Sequence, residues 1–124
     1  MAIKHELLLH NSVAETATWT SRDFGEFGGF THVALVLDVT AVSGTTPSMT
    51  VKLQERSDQK TGGLYLDPAS GYAFAAVTTA PTLLRLAIDW LYFVKYRAVA
   101  TISGTSPSLT FTLAAYLSAE EPVP

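Results

Sequence analysis

The sequence predicts an all-β domain: an antiparallel β-sandwich, jelly-roll-like, of about eight strands. Three observations predict it. Apolar and polar residues alternate with a period of two along much of the chain, the spacing that puts one side of a strand in a core and the other in water. The alternating runs are rich in valine, threonine and aromatics, which suit a pleated, half-buried surface. Glycine, proline, serine and aspartate cluster between the runs, where turns need them. At 124 residues the chain suits a single domain and buries most of its apolar surface without covalent staples.

The elements follow in order. Residues 4–10 and 13–19 are expected strands, and residues 1–11 are read as an N-terminal arm. Residues 24–30, FGEFGGF, space three phenylalanines by three. Their glycines disfavour a helix, so a loop or irregular edge with apolar plugs is expected. In residues 31–42, Val33, Leu35, Leu37, Val39 and Ala41 share one face. In residues 49–56, Met49, Val51 and Leu53 oppose Thr50, Lys52, Gln54 and Arg56. Polar turns at 57–63 and 67–71 surround weaker strands at 64–66 and 72–78. Residues 82–88 have some helical propensity, but Pro81 and the alternation of Leu84, Leu86 and Ile88 favour a strand. Residues 94–102 and 108–118 alternate strongly. The tail, 118–124, is expected to fray or to dock on a neighbour.

One internal repeat stands out. Residues 43–53, SGTTPSMTVKL, and 103–113, SGTSPSLTFTL, are identical at seven of eleven positions, sixty residues apart. Each lies between two expected strands, so each is read as a hairpin with an SGTxP loop. Glycine would supply a positive φ and proline would stiffen the exit.

Catalytic chemistry finds no constellation. The chain has no cysteine, which excludes disulfides and thiolate metal sites. Its three histidines, His5, His10 and His32, fit no metal-ligand spacing. No serine sits in a GxSxG elbow. Asp38 is a carboxylate in mid-strand, where solvent or a cross-strand partner such as Lys52, Arg56 or Arg97 is expected. No catalytic, cofactor or metal residue is assigned. With a net charge of −3 and few basic residues, a nucleic-acid partner is not expected. No run approaches the ~20 apolar residues of a membrane helix. Charged residues are only 15% of the chain, against ~25% in an average domain, so some apolar surface is expected to meet other subunits. Phe24, Phe27 and Phe30 of the glycine-rich loop and Leu7 and Leu9 of the arm are the candidate contacts. The arm, as residues 4–10, is expected to add as a strand to a neighbouring subunit.

The stretch from Val36 to Asp58, VLDVTAVSGTTPSMTVKLQERSD, and that from Lys95 to Leu113, KYRAVATISGTSPSLTFTL, resemble a pair of hairpins found in small virion proteins of tailed phages. The likeness covers roughly residues 33–117, and departs from the family pattern where Ser57, Asp58, Gln59 and Lys60 replace an acidic-glycine turn. It implies a β-sandwich that decorates or cements a capsid, non-enzymatic and without cofactor. Its expected partners are the major capsid protein or other virion subunits. A homo-oligomer, a trimer by preference, is expected, in a virion assembled in the host cytoplasm. A neck, tail or head-fibre component and a carbohydrate-binding sandwich module are the alternatives.

Overall fold

The structure, a computed structural model, describes residues 3–24, 32–56, 65, 72–89 and 95–119. These residues form one antiparallel sheet of five strands and no helix: β1 (Ile3–Glu15), β2 (Trp19–Thr20), β3 (His32–Arg56), β4 (Thr82–Asp89) and β5 (Lys95–Ala119). The order is β1-β5-β3-β4, with β2 beside the first half of β5. The all-β, antiparallel expectation agrees with this sheet, but the strands are fewer and longer than expected. Residues 31–42 and 49–56 are two halves of one 25-residue strand, β3. Residues 94–102 and 108–118 are likewise two halves of β5.

The merging corrects the hairpin reading of the repeat. The two SGTxP segments do not turn their own chains back into hairpins. They pair with each other, antiparallel, with Thr45 opposite Thr105. A two-residue hairpin turn of the favoured kind needs positive φ at adjacent residues, or at its first residue. Here the positive φ angles fall on alternate residues: 113° at Gly44 and 47° at Thr46, 117° at Gly104 and 49° at Ser106. The ladder slips by one residue on each side of the Thr45–Thr105 pair, first on one strand and then on the other. These are two back-to-back β-bulges, which bend strands and raise their twist. Residues 41–50 and 101–110 also have identical burial patterns. An approximate two-fold axis therefore passes between Thr45 and Thr105 and relates the repeat copies.

The bend is large. Trp19 is registered opposite Ala100 on β5, eleven residues before Phe111. A straight strand would separate those two positions by ~36 Å. Yet the rings of Trp19 and Phe111 lie 5.7 Å apart, edge to face. β5 thus doubles back at its bulge. Val33, Leu35, Leu37 and Val39 from the first half of β3 and Met49, Val51 and Leu53 from its second half join one core. Tyr96, Ala98 and Ala100 join it from the first half of β5, and Leu109, Phe111, Leu113, Ala115 and Leu117 from the second. A further register slip between Val39 and Ala41 turns Ala41 outward, where it is exposed, instead of sharing the core face as expected. One inserted residue reverses the alternation.

The remaining elements differ in smaller ways. Residues 4–10 lie within β1, which runs along β5 of the same chain from Ile3 to Glu15, not along a neighbour. β1 is continuous through Asn11 and Ser12, so Val13, Ala14 and Glu15 of the second expected strand belong to it, and Trp19 falls in the short β2. Residues 72–78 make two isolated bridges to β3, Ala73 to Lys52 and Val77 to Met49. Residues 82–88 are a strand within β4, not a helical turn. The expected strand at 64–66 lies outside the described residues apart from Tyr65, as does most of the tail.

Two predictions follow from the paired bulges. A Cβ on Gly44 would sit 2.7 Å from the Ser106 carbonyl oxygen, and one on Gly104 would sit 2.8 Å from that of Thr46. Gly44→Ala and Gly104→Ala are each expected to cost about 2 kcal/mol or more, because the strained φ adds to a backbone clash. Urea denaturation measures this. Thr46→Asn is expected to leave stability unchanged or raise it, since asparagine tolerates the left-handed region better than a β-branched residue. Deleting residues 1–11 strips β5 of its neighbour, and is expected to abolish the cooperative thermal transition.

Candidate interaction surface

Half of the sheet is built from β1, the second half of β5, the first half of β3, and β4. Its inward face is the core. Its outward face can be read row by row from the register. Leu8, Ala114, Val36 and Arg85 cross the four strands in one row. Glu6, Tyr116, Ala34 and Ala87 form the next. Asn11, Thr112, Asp38 and Leu83 lie on the other side of the first. Leu8, Tyr116 and Leu83 are 45%, 43% and 71% exposed. Four strands by three rows outline roughly 400 Å². Seven of the twelve positions are apolar, and a patch of that size matches the largest on an ordinary monomer, which often marks a contact site.

The other half carries a different outward face. Thr50, Lys52 and Gln54 on β3 stand beside Thr101, Val99 and Arg97 on β5. Arg97 donates from Nε to Gln54 Oε1 at 2.8 Å, and its guanidinium lies 4.0 Å above the Tyr65 ring. The Tyr65 hydroxyl donates in turn to the Asp23 carboxylate. This face is polar and partly covered by the chain itself. The bulges relate the two halves by approximate symmetry, so the contrast lies in side-chain choice and not in backbone design.

The candidate contacts taken from the sequence fall elsewhere. Phe24 is 3% exposed. Its backbone bridges Tyr96, and its ring packs in the core, so it offers no surface. Leu7 and Leu9 are partly buried against the same core. Phe27 and Phe30 lie outside the described residues. Asp38 is exposed and registered between Leu83 and Thr112, while Lys52 and Arg97 belong to the other half of the sheet. Solvation, one of the two expected accommodations, suits this exposed position. Sequence reasoning missed Leu8, Leu83 and Tyr116. Alternation put them on the minor face of their strands, and only the register shows that those faces coincide.

Titratable chemistry is sparse. Among the described residues no group of three or more histidine, aspartate or glutamate side chains could hold a metal ion. His10 is 6% exposed and ties the edge strand β1 to the core. Its ring stacks on Phe111 at 3.8 Å and meets the Trp19 edge at 4.7 Å. Nδ1 donates to the Phe111 carbonyl at 2.7 Å, and Nε2 lies 3.0 Å from Glu15 Oε1. Burial pushes the Glu55 carboxyl, opposite Tyr96 on β5, above its usual range.

No protein-family model matches the chain, and no curated protein sequence matches it significantly. Solved structures are similar to it, among them the following two. The SPBc2 prophage-derived protein YomS aligns over 96% of this chain and 96% of its own, with a TM-score of 0.51 and 11% identity. A family two carbohydrate esterase from Cellvibrio japonicus aligns over all of this chain but 36% of its own, with a TM-score of 0.40 and 13% identity. The first likeness shows a shared fold across nearly the whole length of both chains. The second is too distant to inform the fold or the chemistry.

Two outcomes test His10 and the half-buried Glu55. His10→Ala removes a ring stack and two hydrogen bonds, and is expected to cost ~2 kcal/mol in chemical denaturation. Glu55 has a raised folded-state pKa, so the fold binds its proton more tightly than the unfolded chain does. Its contribution therefore becomes less favourable as pH rises from the unfolded to the folded value, and the full penalty applies above both. Glu55→Gln is expected to raise the thermal midpoint at neutral pH. That gain shrinks at pH values below the ordinary carboxylate range.

Proposed function

We propose that this chain is a non-enzymatic structural component of a tailed-phage virion that decorates or cements the capsid by binding major capsid subunits. The carrying observation is the pair of contrasting sheet faces. One is polar and partly covered by Tyr65. The other presents Leu8, Tyr116 and Leu83 around Val36, Ala34 and Ala114. An exposed sheet face with this composition suits a protein surface, with Glu6, Asn11, Asp38 and Arg85 supplying a polar rim. The resemblance of segments 36–58 and 95–113 to small virion proteins of tailed phages favours a phage setting, and so does the fold shared with a prophage-derived protein. We read the fold as a β-sandwich whose layers are the two halves of the folded sheet, a reading supported by the Trp19–Phe111 contact.

The mechanism is linkage. A subunit that binds the assembled shell but not its free subunits stabilises the shell by its binding free energy at every site. Repetition over a symmetric lattice then makes modest single-site affinity sufficient. Expected contacts at Phe27 and Phe30 belong to the same proposal, as does residence in a virion assembled in the host cytoplasm.

Co-sedimentation with emptied heads of the parent phage tests this. Wild-type protein is expected to pellet with heads and to raise their melting temperature. Leu83→Asp together with Tyr116→Asp is expected to weaken binding at least ~30-fold, at about 1 kcal/mol or more per buried side chain. Its own thermal midpoint should stay within a few degrees of wild type. Equal binding by both proteins would remove the apolar face from the contact, and no binding by either would remove the capsid role.

A further inference from the structure

The two edges of the sheet are not alike. β1 slips register twice against β5, between Leu8 and His10 and between Asn11 and Val13, and Ser12 sits at a φ of 50°. Such bulges blunt an edge against further pairing. β4, at the other end of the order, keeps one unbroken register with β3 from Thr82 to Asp89. It holds no proline, lysine or glycine, and from Thr82 to Ala87 it alternates between half-buried and exposed residues. A regular strand of this kind, ending the sheet with no bulge, proline or covering strand among the described residues, is a template for strand addition.

The sequence of β4 also says which strand it fits. Arg85, Ala87 and Asp89 occupy alternate positions of one strand. When two copies run antiparallel about Ala87, Arg85 of each is registered opposite Asp89 of the other. Opposite charges directly across an antiparallel pair attract, and like charges repel. The pattern is therefore self-complementary, which is what a two-fold, isologous contact requires. A shift that centres the pair on Arg85 would set two arginines face to face. We propose that the chain forms a two-fold dimer by antiparallel pairing of β4 with β4 of a second copy, centred on Ala87. The two sheets join edge to edge. Because the axis stands perpendicular to them, Leu83, Tyr116 and Leu8 of both copies lie on the same side. The outlined face, with its apolar centre and polar rim, doubles in area and approaches the ~800 Å² per partner of a standard interface. That last consequence rests on the proposed capsid role, but the dimer itself does not.

The test needs no capsid. Light scattering after size exclusion is expected to give twice the 13.3 kDa chain mass. Arg85→Asp and Asp89→Arg each place like charges opposite one another at both pairs, and each is expected to raise the dimer dissociation constant roughly tenfold or more. The double exchange is expected to restore the dimer. As a check independent of those variants, the chain has no cysteine, so Ala87→Cys introduces a single thiol at the axis. It should form a disulfide-linked dimer on mild oxidation much faster than Asn11→Cys on the opposite edge. A monomer or trimer at high concentration, no rescue by the double exchange, or equal cross-linking at the two edges would overturn the proposal.

Discussion

Everything in this fold hangs on the contact between two copies of one short motif. At the middle of β3 and β5, Gly44 lies against the backbone of Ser106 and Pro107, and Gly104 lies against that of Thr46 and Pro47. Neither glycine has room for a side chain. The reciprocal bulges bend two 25-residue strands that would otherwise run straight for ~80 Å. Folding the strands at this point brings the inner faces of the two half-sheets into one core. Without the bend, a sheet this long would leave one apolar face in water, a cost that no turn or loop elsewhere could offset.

The periphery depends on that bend. Trp19 reaches Phe111 only because β5 doubles back, and His10 then fills the space between them with both ring nitrogens engaged. The stack fastens the bulged edge strand β1 to the core. The opposite edge, β4, has no equivalent fastening or bulge among the described residues. One edge is finished and the other is left regular. That asymmetry, with the apolar outward face beside it, is where the fold has capacity to meet other chains.

The two half-sheets share a backbone plan but differ in their exposed side chains. Arg97 and Gln54 on one half occupy the kind of outward positions held by Val36 and Ala114 on the other. A sheet face in water is stable with threonine, lysine and arginine, so nothing in the fold itself demands the apolar set. The function proposed here follows from that surplus of apolar surface, not from any catalytic grouping. The prophage-derived protein similar in structure is distant in sequence and bears on the fold alone.

By itself the sequence determined the secondary-structure type and nearly all of the core. Alternation in residues 31–42, 49–56, 94–102 and 108–118 marks Val33, Leu35, Leu37, Met49, Val51, Leu53, Leu113 and Leu117 as inward, because the period of a strand is local and every residue reports it. The repeat and its special glycines were legible too. What they do was not. A positive φ next to a proline is compatible with a hairpin or a bulge, and the choice turns on a partner strand sixty residues away. The interaction surface was hidden for the same reason. Leu8, Leu83 and Tyr116 lie on three strands far apart in the chain, and only the register of the folded sheet puts them on one face. Pairing across long separations is decided by the whole packed core, and no local pattern encodes it.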